Sequence, residues 1–129
     1  MKTTALTAAL LAPLYLALAF RVIAARRATR VAVGDGADPV LVRRMRVHAN
    51  FAEYVPFALV LMGLAEGLGA AAWLISAIGA VLLVARLSHA WGMSQPREVL
   101  AFRSVGMVGT FTAILVAAGT CLVLALSAG

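Results

Sequence analysis

Three arginines, a histidine, an asparagine and a glutamate are packed into Arg43-Arg-Met-Arg-Val-His-Ala-Asn-Phe-Ala-Glu-Tyr-Val-Pro56, directly ahead of the apolar segment from Phe57 to Leu64. On a helix, Arg43, Arg46, Asn50 and Glu53 follow at i, i+3, i+7 and i+10 and make one continuous face. At 1.5 Å per residue that stripe is about 15 Å long. Arginine offers a planar fork matched to carboxylates and stays charged in any site. With one asparagine and one carboxylate beside it, the stripe is suited to an anionic ligand that also carries an amine. The plain alternative is that Arg43, Arg44, Arg86 and Arg97 mark helix ends and reach for lipid headgroups. That alternative suits Arg46, Asn50 and Glu53 less, because a carboxylate two turns into an apolar helix is expensive without a partner. His48 lies roughly 160° around the wheel from Arg46 at about 100° per residue, off the stripe and read as interfacial.

The elements that must position this face are set by composition. The chain has 129 residues, 64% of them hydrophobic and 12% charged, with a mean hydropathy of +1.00. Soluble domains are nearer half apolar and a quarter charged, so a bilayer is the natural solvent. Apolar stretches run over about 4–23, 51–68, 70–87 and 105–126, each close to the length that crosses a hydrocarbon core. Backbone groups in lipid must be satisfied within the segment, which demands helices, and no alternating pattern supports a barrel. The expectation is all-α: one integral membrane domain over 1–129, a four-helix bundle with helices at roughly 4–25, 39–66, 70–91 and 100–127. Asp38-Pro39 reads as an N-cap and first-turn proline. Pro56 should kink the second helix. Gly106 and Thr110 have small-xxx-small spacing for close packing.

Eleven basic and five acidic residues give a formal charge of +6. The arginines cluster at the ends of apolar segments, which favours a membrane and argues against nucleic acid. The first apolar run is followed by Arg21, Arg26, Arg27 and Arg30, the reverse of a cleavable signal, so it reads as a retained helix with an outside N-terminus. Both basic connections, Arg21 to Arg46 and Arg97 with its neighbours, belong on the cytoplasmic side, so both termini lie outside. The stripe, the Arg86–His89 end of the third helix and Arg103 at the start of the fourth then meet at one end of the bundle. Cys121 is read as a buried small hydrophobe. Two histidines and one cysteine offer no metal set, and no phosphate loop or Ser-His-Asp set is present.

The run Arg46-x-x-x-Asn50-x-x-Glu53-Tyr54-x-Pro56, with Ala85-Arg86-Leu87 and Gly92, resembles the membrane-associated proteins in eicosanoid and glutathione metabolism, the MAPEG family. Its members include microsomal glutathione transferases, leukotriene C synthase and microsomal prostaglandin E synthase. The resemblance implies a homotrimer with glutathione as co-substrate, bound between subunits near the cytoplasmic face; the membrane itself is read as a bacterial inner membrane. It implies that Arg46, Asn50, Glu53 and Tyr54 hold the tripeptide, with Arg43, Arg86 and His89 beside them and Arg103 as the arginine that stabilises the thiolate. At the third-helix end, where the family carries tyrosines, this sequence has His89 and Met93. The implied activity is a membrane-bound glutathione transferase or peroxidase acting on lipophilic electrophiles. Such chemistry asks for no covalent protein nucleophile: an arginine beside the sulfur would lower a thiol pKa from about 8.5 and enrich the thiolate. Two rivals stay open, a small proton-coupled four-helix transporter using Glu53 and a non-catalytic binding or structural member of the same family.

Overall fold

The computed structural model describes residues 1–95 and 97–127. Pro96, read as part of the loop before the fourth helix, and the end of the domain at Ala128 and Gly129 lie outside the described residues. Four helices follow one another: α1 (Lys2–Thr29), α2 (Pro39–Gly67), α3 (Ala72–Ser94) and α4 (Leu100–Ser127). All four are long and apolar enough to cross a membrane, and the described residues contain no strand. The protein is an integral membrane four-helix bundle.

The helix ends follow local chemistry. α1 extends beyond the expected 25 to Thr29 because Arg26 and Arg27 occupy its last turn, where cations complement the helix dipole. It stops at Arg30, in the left-handed region at φ 56°, whose N–H bonds back to Arg26. Arg26 also ties down the following loop by donating to the carbonyls of Val31, Ala32 and Gly34. α2 opens as its sequence suggests: the Asp38 carboxylate accepts from Leu41 N–H at 2.7 Å, with Pro39 at the first turn. It then runs as one helix through Pro56. Gly69, at φ 95°, makes the short turn into α3.

α3 runs to Ser94 and so past Gly92, beyond the expected end at 91. Gly92 is there for proximity, since a Cβ on it would lie 2.8 Å from the Arg103 nitrogen and 2.9 Å from Phe102 Cβ. The same device brings the middle of α4 onto α3. A Cβ on Gly106 would sit 2.5 Å from His89 Cβ and 2.7 Å from the Ala85 carbonyl oxygen. Gly106, Thr110, Ala113 and Ala117 are the buried residues of α4, a stripe of small side chains that replaces hydrophobic drive with close packing.

The core is made by Leu11 and Leu18 of α1, Val47, Phe51, Val55 and Met62 of α2, and Ile75, Ile78 and Leu82 of α3. α2 and α3 each touch every other helix, whereas α1 and α4 do not meet. At the end away from the arginines, Glu66 closes the bundle. Its carboxylate accepts from the backbone N–H groups of Thr3 and Thr4, each at 2.9 Å, and from the Thr4 hydroxyl at 2.7 Å. Those are N–H groups that the first turn of a helix leaves without partners, so α2 caps α1 from across the bundle.

Candidate functional site

Of the arginine, asparagine and glutamate of the α2 stripe, it is Asn50 that meets a partner on α3. Arg86 is 1% exposed, and its Nη1 donates to Asn50 Oδ1 at 3.0 Å. A guanidinium has only donors, so the Asn50 oxygen is turned inward and the amide N–H₂ is left to point away from Arg86. The Arg86 Nε and Nη2 are sealed from solvent without a hydrogen-bond partner among the described residues. No carboxylate pairs with it there either, since the two ion pairs join Met1 to Glu66 and Arg103 to Glu98. A charge so placed costs free energy unless something compensates it.

Arg46 and Glu53 flank Asn50 on the outward face of α2, and both are exposed from the subunit. Seven residues apart, they are separated by about 10 Å along the axis and do not pair with each other. Between them the stripe offers donors at Arg46 and Asn50 and an acceptor at Glu53. An extended molecule with a carboxylate or carbonyl oxygen at one end and an ammonium at the other can satisfy all three. A single subunit leaves this face open, and an ionised side chain on a membrane helix is costly against hydrocarbon. The stripe therefore needs a second surface.

The other residues singled out in the sequence are distributed around this face. Arg43 donates through Nη1 to the Gln95 carbonyl and so ties the start of α2 to the segment after α3. Tyr54 is half-buried, its ring edge-on to Phe111 of α4 at a centroid distance of 5.4 Å. His89, 2% exposed, lies in the α3–α4 seam against Gly106. Met93 is partly buried at the margin of the core. Arg103, partly exposed, is held by Glu98 at 2.7 Å. Sequence reasoning passed over Glu98 as a loop residue, although a carboxylate five positions ahead of an arginine at a helix start was the available signal. His48 is off the stripe, with its ring 4.9 Å from that of Tyr15 on α1. Its Nε2 is buried without a partner among the described residues. Cys121 is half-buried and donates to the Leu61 carbonyl at 3.2 Å.

Comparison with known proteins gives the family. The family model described as MAPEG family matches residues 4–123. The chain is 39% identical over 112 residues to the inner membrane protein YecN of Escherichia coli K12, covering 87% of this chain and 84% of that protein. The protein of the same name from Escherichia coli O6:H1 gives the same identity and coverage.

Proposed function

This chain belongs to the MAPEG family, and from that premise we propose that it binds glutathione and adds its thiolate to lipophilic electrophiles. The carrying observation is the Arg86–Asn50 hydrogen bond, which turns the Asn50 donors outward between the exposed Arg46 and Glu53. Glutathione has the matching groups. One carboxylate suits the Arg46 fork, a peptide carbonyl suits the Asn50 amide, and the ammonium suits Glu53. The tripeptide is also long enough to engage groups about 10 Å apart.

The second surface that the stripe requires is supplied, in this reading, by a neighbouring copy in a homotrimer. The binding cleft then lies between subunits at the arginine-rich end, which faces the cytoplasm, with both termini on the other side of an inner membrane. An apolar electrophile enters from the bilayer. The thiol proton leaves to water because a nearby arginine favours the thiolate. The sulfur then bonds to carbon as the electrophile's C–leaving-group bond or C=C π bond breaks, the electron pair departing with the leaving group or taking up a proton from water. Arg103 is the residue for that role, and it must exchange its Glu98 contact for the sulfur.

The Arg103–Glu98 pair, together with His89 and Met93 where the family carries tyrosines, favours one second reading: binding without turnover. Titration of glutathione into the detergent-purified protein, followed by thiolate absorbance, separates the two. A saturable thiolate signal at neutral pH is expected. Saturable binding with the sulfur still protonated selects the binding-only reading, and absence of saturable binding removes glutathione altogether.

A further inference from the structure

A second basic site lies inside the subunit, sharing Arg43 with the start of the stripe but otherwise apart from it. Between α1, α2 and α3 at the arginine-rich end is a cavity of about 390 Å³ lined by Arg21, Arg43, Arg44 and Ser94 and walled by Leu18, Val40 and Val47. Its guanidinium groups are anchored, each on an uncharged acceptor. Arg21 Nη1 donates to Ser94 Oγ at 2.7 Å, Arg44 Nη1 to the Arg21 carbonyl at 3.1 Å, and Arg43 Nη1 to the Gln95 carbonyl. Ser94 is held in turn on the Ala90 carbonyl of its own helix. No acidic side chain lines the cavity, and neither Arg21 nor Arg44 has an ion-pair partner among the described residues.

Like charges gathered at the edge of a low-dielectric region repel one another unless a counter-charge joins them. Here the hydrogen bonds hold the Arg21 and Arg44 forks in place without neutralising them, which is the arrangement an incoming anion requires. The two non-bridging oxygens of a phosphodiester carry several lone pairs and can accept from more than one fork at once. The remaining wall is aliphatic and suits a glycerol backbone and the first methylenes of an acyl chain. From these features we infer that the cavity is a phosphate site, occupied in the membrane by the headgroup of an anionic phospholipid. This inference does not rest on the glutathione reading.

The test is lipid retention by the purified full-length protein, measured by native mass spectrometry after equilibration with mixed micelles of phosphatidylglycerol and phosphatidylcholine. Wild-type protein is expected to retain phosphatidylglycerol selectively. The double substitution Arg21→Gln and Arg44→Gln should lower that retention at least tenfold, while Arg27→Gln, an exposed arginine of α1 outside the cavity lining, should not. Val40→Trp fills part of the cavity from its lining and keeps every charge, so it should also lower retention, and it keeps the inference testable if the double variant fails to fold. Unchanged retention in Val40→Trp would mean surface attraction by net charge and would overturn the site. Equal retention of the two lipids would do the same. A parallel thermal-shift titration with inorganic phosphate distinguishes the source. Full stabilisation by phosphate alone, with no further gain from short-chain phosphatidylglycerol, would overturn the lipid assignment.

Discussion

Replacing Arg86 by methionine should leave the protein at least as stable while weakening its grip on glutathione. The expectation comes from how Arg86 is buried. Two of its nitrogens are sealed without partners among the described residues, and each unsatisfied buried group costs about 1–3 kcal/mol. Against that stands one charge-assisted hydrogen bond, to Asn50 at 3.0 Å, worth about 1.5–3 kcal/mol. Methionine is flexible enough to fill most of the vacated space. The balance lies between a loss of about 1 kcal/mol and a gain of about 4.5 kcal/mol, centred on a modest gain. Binding moves the other way. Once Asn50 is no longer held by Arg86, its amide is free to turn, and a loss of about 1.5–3 kcal/mol corresponds to roughly 10- to 150-fold weaker binding. Thermal midpoints in detergent, with glutathione titrations on the same samples, measure both. Leu82→Ala is the internal yardstick: Leu82 is 0% exposed, and its truncation should cost about 2–5 kcal/mol. A midpoint for Arg86→Met as low as that of Leu82→Ala would mean that Arg86 is a structural buttress with partners of its own. Unchanged glutathione affinity would mean that the orientation of Asn50 is irrelevant to binding. Either result refutes the account of the site.

Other substitutions probe the remaining parts. Arg46→Ala and Glu53→Gln should each weaken glutathione binding by about 1–3 kcal/mol with little change in midpoint, because neither has a partner among the described residues; His48→Ala, off the stripe, should not affect binding in the same titration. Arg103→Leu should stay folded, since an exposed pair is worth about 0–1 kcal/mol, and should move the pH–rate profile of conjugation upward as thiol activation is lost. Glu98→Gln releases Arg103 and should leave conjugation unchanged or faster; a slower reaction would show that the pair itself is needed. Gly106→Ala should cost about 1–3 kcal/mol or more, read as a lowered midpoint, because its Cβ would lie within 2.7 Å of α3 backbone atoms. Glu66→Gln weakens the cap on α1 and should lower the midpoint by the equivalent of about 0.5–2 kcal/mol, with glutathione binding untouched at the opposite end of the bundle.

Much of this protein is written locally in its chain. The number of spans and their solvent follow from the length and composition of four apolar runs, because a helix in lipid must satisfy its own backbone within a single segment. The start of α2 follows from Asp38-Pro39, whose cap closes within one turn. The stripe of Arg46, Asn50 and Glu53 follows from helical periodicity, which places residues on a face whatever lies opposite. What lies opposite is decided by helix packing. In the sequence Arg86, Arg97 and Arg103 are alike, arginines in or beside the connection between two apolar runs. In the fold the first is buried on Asn50, the second is exposed and the third is paired with Glu98. Glu66 reads as a turn residue but caps a helix that begins some sixty positions earlier in the chain, at Thr3 and Thr4. Gly92 reads as a helix end, although its role is to admit the start of α4. The partner of a charge, and whether that charge is buried, depend on how each helix is rotated and how closely it approaches its neighbours. Small residues set that approach, and no window along one helix contains it.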